Sequence, residues 1–516
     1  MANTNKDNAV IIIISCFGWG ILAHGYAMFN KLSWHDDQTA LFGVGTTYEI
    51  GRWMLGLLGD VVRCVFGESN YSLPVYSGMM AILFIAVAVF LLITMYHIKS
   101  ALSIVAISGV MVCIPVITGL FGYMFTAPYY MFGMLLSIAG CFLIHNYAEK
   151  GKLCGGVSVF LGSIFIACGT GTYQANFPVS VTTLLLSLFV YLINKNNKRE
   201  LFSRAVIYAG ALFSSLILYL AAANIFVSIF HKKFSSYAGI NSMGEDSISV
   251  YVSRLKTAFI NFWQIDKGNH SYNMYPMTAN IIFKVMLVML LSMSILICVH
   301  FMRQKRYFHA IMLVFLLMFF PLSVNLIFIL STVSSIHTLA MYTWIFVPVF
   351  LVLQTQFVTQ LYIYISRQVT IMNGVIILIL VLMYARYSNV CYLQATLLQS
   401  QTISYFDRLI TRIQSVDGYT NETPIVFINE HGMHDSTWMK YSAFEAVSSI
   451  PYTDSIEAYV NTYTWATFMA NWNGYNPLRG ESNDYKDNID VAQMPTYPND
   501  GSIKMLNDVI VIKFGK

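Results

Sequence analysis

Charge is what this sequence holds least of. Only 11% of its 516 residues are Asp, Glu, Lys or Arg, where a soluble domain carries about a quarter. That shortage excludes an ordinary cytoplasmic enzyme, and a hydrophobic content of 57% excludes a disordered chain. The net charge of +5 is explained by basic residues that orient hydrophobic spans, so it calls for no nucleic acid as partner. Cysteine is missing after Cys391, so the C-terminal region folds without an internal disulfide. Cys16, Cys113, Cys141, Cys154, Cys168 and Cys298 fall in or beside apolar runs and read as small buried hydrophobes. Only Cys64 and Cys391 lie near an outer surface. The sequence also lacks repeats of solenoid period and low-complexity segments, and no small-residue cleavage site follows the first apolar run, Ala9 to Phe29. That run is therefore expected to stay as a membrane anchor.

What is present is a series of apolar runs, each about 20 residues long, the length that crosses a bilayer core. We read about eleven spans, near residues 9–29, 76–96, 101–119, 125–144, 153–169, 177–193, 205–228, 281–301, 308–330, 339–362 and 369–388. Alternate loops differ in charge. One set carries Lys99; Lys150 and Lys152; Lys195, Lys198, Arg199 and Arg204; Arg303, Lys305 and Arg306; and Arg367. The opposite short loops, Gly119 to Tyr130, Gly169 to Asn176 and Thr332 to His337, contain neither Lys nor Arg. The positive-inside rule makes the first set cytoplasmic. The N-terminus is then inside, and the larger pieces 30–75, 228–280 and everything after about 388 are outside.

The expected fold class is an all-α polytopic membrane protein, residues 1–388, followed by a small outer α/β domain, 389–516. In that tail Pro424 to Ile428 and Val509 to Ile512 read as short buried strands, and Leu397 to Ile413 and Ser436 to Val447 as helices.

The first outer loop, 30–75, concentrates the chemistry. It opens Lys31-Leu32-Ser33-Trp34-His35-Asp36-Asp37-Gln38 and continues Tyr48-Glu49-Ile50-Gly51-Arg52-Trp53 to Asp60 and Arg63. Adjacent carboxylates at a membrane boundary repel each other and lose hydration, so they are retained for a task; a solvated loop or a helix N-cap is the competing account. The apolar residues Leu55, Leu57, Leu58, Val61 and Val62 give the second half an amphipathic, interfacial pattern. Arg52 and Arg63 suit a phosphate head group, which guanidinium grips through two parallel hydrogen bonds, or they simply snorkel to lipid.

The N-terminal span, the exported Asp-Asp loop, Gly51-Arg52-Trp53, the many-span body and Gly171-Thr172-Tyr173-Gln174-Ala175 before a span together resemble the bacterial serotype-converting membrane glucosyltransferases of the Gtr type II group. These are similar to the wider GT-C class of glycosyltransferases. The likeness covers roughly the first 390 residues. It implies a GT-C-like fold and an inverting transfer of glucose, or another hexose, from polyprenyl (undecaprenyl) phosphate to a lipid-linked surface polysaccharide such as O-antigen. The reaction would run on the periplasmic face of the bacterial inner membrane. Because phosphate is already a good leaving group, one base toward the acceptor hydroxyl suffices, unlike the two-carboxylate glycosidases. Carried onto this sequence, that base is Asp37 or Asp36, and Arg52 stabilises the departing phosphate. The resemblance further implies a flippase and a lipid-sugar synthase as partners, and no cofactor; a divalent metal is not indicated.

Further candidates are Arg63, Lys232 and Lys233 toward donor phosphate, the last two also readable as boundary anchors. Glu49, Trp53, Tyr173, Gln174 and Trp472 are candidates for binding substrate. Tyr129 and Tyr130 sit at outer span ends, where they pack against a sugar or prenyl chain or, the preferred reading, form an aromatic belt; His24, ionisable within a span, is functional or, in the preferred reading, a satisfied interior histidine. The aromatics Trp438, Trp465, Trp472 and Tyr475 of the tail suit either sugar stacking or packing. His431 and His434 form a weak metal pattern. The alternative function is a transporter or flippase for a lipid-linked sugar. It would place charges at mid-membrane and show related halves, whereas these spans are nearly free of charge.

Overall fold

The computed structural model describes residues 2–32, 35–38, 46–67, 72–149, 152–236, 246–263, 277–331, 338–362, 364, 366–429 and 464–515. The chain divides into two compact units: residues 1–30 with 42–389, and residues 31–41 with 390–516.

The first unit is helical. Its helices are α1 (Ala2–Phe29), α2 (Thr46–Glu49), α3 (Trp53–Phe66), α4 (Pro74–Met95), α5 (Ala101–Cys113), α6 (Pro115–Phe121), α7 (Ala127–His145), α8 (Lys152–Thr172) and α9 (Asn176–Asn194). Next in the chain come α10 (Lys198–Ile229), α11 (Ile248–Trp263), α12 (Met277–Arg303), α13 (Tyr307–Val324), α14 (Leu326–Leu330), α15 (Phe346–Leu361) and the first half of α16 (Ser366–Gln414). Ten of the described helices are long and apolar enough to span a bilayer, and α5 with α6 makes an eleventh, bent by 42°. The bend falls at Pro115, which brings no N–H to the helical ladder and clashes with the preceding turn. The protein is a polytopic all-α membrane protein, as its composition leads one to expect.

Close packing of α7 against α8 rests on glycine. A Cβ on Gly140 would lie 2.5 Å from the Gly162 carbonyl oxygen, and one on Gly169 would lie 2.5 Å from that of Gly133. Small residues let the two backbones meet closely, which is how helices associate where lipid is as apolar as leucine. The pairing of 133 with 169 and of 140 with 162 makes the helices antiparallel. The start of α7 therefore lies beside the end of α8, and so do the residues at those two ends. Within α1, His24 is within hydrogen-bond distance of the Val112 carbonyl at 2.9 Å, in keeping with a satisfied interior histidine.

Two sequence boundaries differ. The tenth span begins with two short 3-10 turns, Thr338–Ala340 and Tyr342–Ile345, before α15. The last span does not stop near 388, because α16 continues unbroken for 49 residues to Gln414 and absorbs the helix expected at 397–413. At 1.5 Å per residue it is about two and a half times as long as a bilayer core is thick. A window that seeks only apolar residues ends such a helix where its polarity rises, although no Pro interrupts it.

The second unit contains the rest of α16 and a three-stranded sheet of order β1–β3–β2, with β1 at Ile425–Ile428, β2 at Ile503–Leu506 and β3 at Val509–Lys513. β1 pairs parallel with β3, and β2 pairs antiparallel with it. The β2–β3 turn carries Asn507 and Asp508 at φ of 50° and 62°, the left-handed pair that tight hairpins favour. Strand β2 escapes a sequence reading because its burial is partial. Among its described residues the unit also has two short α-helices, α17 (Trp465–Phe468) and α18 (Ile489–Gln493). The helix expected at 436–447 lies outside the described residues.

Candidate functional site

In the first unit the segment after α2 is held in a turn. Gly51 has φ of +71°, a conformation that L side chains rarely adopt. A Cβ there would lie 2.7 Å from the Tyr219 hydroxyl and 3.2 Å from Gln174 Nε2. The turn is tied down by Gln174, whose Nε2 donates to the Ile50 carbonyl at 2.7 Å and to the Tyr219 hydroxyl at 3.3 Å. Gln174 sits just past α8 and Tyr219 on α10, so two membrane helices fix the backbone that presents Arg52.

Arg52 meets the junction of α7 and α8. Its Nη1 donates to the Tyr130 hydroxyl at 2.8 Å. Its guanidinium carbon lies 4.9 Å from the Tyr173 ring centroid and 5.9 Å from that of Tyr130. The two rings stack with centroids 4.7 Å apart and planes 10° from parallel. A hydrogen bond to a charged group contributes about 1.5–3 kcal/mol, and a cation over a ring about 0.5–2 kcal/mol. The hydroxyl of Tyr130 is thus the stronger constraint on where the fork points.

Trp53 begins α3 and is seated on Gly171: a Cβ at Gly171 would lie 2.5 Å from Trp53 Cε2. Phe226 of α10 stacks on Trp53 at 5.8 Å and on Tyr48 at 5.3 Å. Tyr48, fully buried, donates to Asp60 Oδ2 at 3.0 Å. Burial, and after it the negative charge of Asp60, holds its phenol well above the ordinary value, so it stays a donor. Glu49 pairs with Lys232 at 3.3 Å, with both side chains partly exposed. Arg63 pairs with Asp60 at 2.5 Å on the surface. Lys233 is exposed and is not drawn into this cluster.

In the second unit a single 3-10 turn, His35–Gln38, carries the Asp pair. The two carboxylates differ. Asp37 has no side-chain exposure and accepts from Lys31 Nζ at 2.6 Å, whereas Asp36 is half-buried. In the tail, Trp465 is only 3% exposed, stacked on Phe427 at 3.9 Å with the Arg479 guanidinium 4.6 Å from its ring. Of its two readings, packing holds. Trp472 is half-buried, on a π-helical turn, Met469–Asn473, a distortion often found at functional sites. Asn473 on the same turn donates to Asp407 at 2.8 Å.

Of the sequence candidates, the structure gathers Glu49, Arg52, Trp53, Tyr173, Gln174 and Lys232 within one cluster of the first unit. It leaves Arg63 on an outward pair and Lys233 in solvent. Trp438 and the His431–His434 pair lie outside the described residues, and among the described residues no three His, Cys, Asp or Glu side chains gather as a metal site would require. Sequence reasoning misses Tyr219 and the pairing of Lys31 with Asp37, and it names Gly51 only within a motif and Tyr130 only beside the belt reading it prefers. Lys31 stands six residues before Asp37, which is a usable signal. Tyr130 reads in the sequence as part of an interfacial belt, from which its contact with Arg52 removes it.

An arginine fork held by two tyrosines, beside half-buried polar groups at the ends of apolar helices, is an arrangement suited to holding an anionic group. Comparison with family models makes the assignment specific: residues 25–353 match the family described as Glucosyl transferase GtrII. The match spans more than half of the chain, and the protein belongs to this family; it is a membrane glucosyltransferase. No curated protein and no solved structure matches it.

Proposed function

We propose that the protein transfers glucose from a polyprenyl phosphate carrier to a surface polysaccharide such as O-antigen, on the periplasmic face of the inner membrane. The observation that carries this reading is the clamped Arg52, whose guanidinium is held by Tyr130 and Tyr173 on two short loops that carry no Lys or Arg. A guanidinium held in this way suits a phosphate that gains charge as the sugar departs. No nucleotide sugar is present outside the cytoplasmic membrane, so a lipid carrier is the donor consistent with the orientation read from loop charge.

The roles follow from the chemistry. Asp37 takes the proton of the acceptor hydroxyl as that oxygen forms the new bond to the anomeric carbon; Asp36 orients the acceptor. The bond from the anomeric carbon to the phosphate oxygen breaks with its electron pair, and Arg52 receives the resulting charge. A single displacement inverts the anomeric centre. Trp53, Tyr173 and Gln174 line the donor side, and Glu49 sets Lys232 near the same depth. Arg63 and Lys233 remain further candidates for carrier phosphate. Trp472 offers a sugar-stacking face to the acceptor. A flippase and a lipid-sugar synthase would supply the carrier.

The test is to incubate the purified protein with synthetic polyprenyl-phosphate-glucose and candidate surface glycans and to look for a new linkage by mass spectrometry. Transfer with no nucleotide sugar present is the expected result. Transfer from a nucleotide sugar, and none from the lipid carrier, overturns the reading.

A further inference from the structure

The tyrosine pair at the mouth of α7 and α8 has a geometry that an aromatic belt does not explain. Belt tyrosines turn their hydroxyls toward water and head groups. Tyr130 is instead 7% exposed and its hydroxyl accepts the Arg52 Nη1 hydrogen at 2.8 Å. Its ring lies on Tyr173 at 4.7 Å, and Tyr173 in turn faces the guanidinium at 4.9 Å. One tyrosine therefore restrains the fork along an edge and the other across its face. Together they remove two of the freedoms that a long arginine side chain has in solution.

We propose that Tyr130 is a positioning residue for donor binding, acting through its hydroxyl on Arg52, with the Tyr173 ring as the second wall of the same clamp. The clamp is assembled by the glycine-mediated contact of α7 and α8, because that contact sets the start of one helix beside the end of the other. Its ligand is a phosphate monoester or diester head group on a lipid, the anion to which a pre-oriented guanidinium gives two parallel hydrogen bonds. A fork oriented before binding loses less entropy on gripping the charge the donor phosphate already carries, so the clamp acts chiefly on donor affinity. This inference rests on the phosphate-binding role proposed for Arg52.

The experiment is steady-state kinetics of the full-length protein in detergent or nanodiscs, with synthetic polyprenyl-phosphate-glucose as donor at saturating acceptor. Tyr130→Phe keeps the ring and removes the hydroxyl. The expected result is a donor KM raised about tenfold, with kcat within about twofold and acceptor KM unchanged. In an Arg52→Ala background the same substitution is expected to add no further change, since the hydroxyl then has no guanidinium to orient. Tyr173→Leu removes the clamp's aromatic wall and is expected to raise donor KM, and it carries the test if Tyr130→Phe fails to fold. A wild-type donor KM in Tyr130→Phe, or a fall in kcat alone, overturns the clamp while a raised donor KM in Arg52→Ala leaves the phosphate role standing. An unchanged donor KM in Arg52→Ala overturns both.

Discussion

The Tyr219 hydroxyl stands 2.7 Å from the point where a Cβ on Gly51 would sit, so the residue before Arg52 has room for nothing larger than hydrogen. The same glycine has φ of +71°. Gly51→Ala is expected to meet both obstacles, at a cost of roughly 1–2 kcal/mol from backbone strain alone, and to move Arg52 off its tyrosines. Transfer activity should fall at least tenfold. Tyr219→Phe, which removes the opposing hydroxyl, should recover part of the loss in the double variant. No recovery would mean that strain and not the steric clash governs.

Asp37 and Lys31 form a buried-to-surface ion pair at 2.6 Å. Asp37→Asn retains shape but cannot accept the acceptor's proton, and a general base contributes typically about 10²–10⁴ in rate. The expected outcome is a fall in kcat of that order with normal expression and insertion, measured on purified protein. Asp36→Asn should lower activity less and act on acceptor KM. Full activity of both single variants and of the double variant would remove this turn from the mechanism.

Trp472 and Trp465 separate two accounts of the tail's aromatics. Trp465→Ala removes a buried ring stacked on Phe427, and core Trp→Ala losses run to about 3–5 kcal/mol, so the Tm of the variant should drop clearly. Trp472→Ala should leave Tm nearly unchanged and raise the KM for glycan acceptor while donor KM stays constant. Equal effects of Trp472→Ala on both substrates would count against an acceptor role.

Glu49 and Lys232 form a partly exposed pair, worth no more than about 1 kcal/mol. Glu49→Gln and Lys232→Gln should each change thermal stability little. If Lys232 attracts the anionic donor, its loss will raise donor KM more at low salt than at high salt, because screening already weakens the field at high ionic strength. Salt-independent kinetics would leave Lys232 as a plain boundary anchor.

Membrane architecture is written in the sequence through two properties that need no tertiary knowledge. Run length against bilayer thickness gives the spans, and Lys and Arg in alternate loops give only an expected orientation. Both are local sums, which is why the bent α5–α6 pair is readable as one span and why α16, continued by polar residues, is longer than its apolar run suggests. The strands at 425–428 and 509–513 are likewise readable, being short unbroken apolar runs in a polar tail.

The sequence also determined by itself that Arg52, Glu49 and the Asp pair share one loop, and that few other charges compete with them. The tertiary structure alone decided which tyrosines reach Arg52. Residues 130, 173 and 219 come from distant stretches of the chain, and only the close glycine contact of α7 with α8 and the turn at Gly51 bring them to one point. Proximity between distant segments is set by packing across helix faces, which sequence period reports as a direction but never as a partner. The ion pair of Asp37 with Lys31, by contrast, spans only six residues of chain and is a local contact.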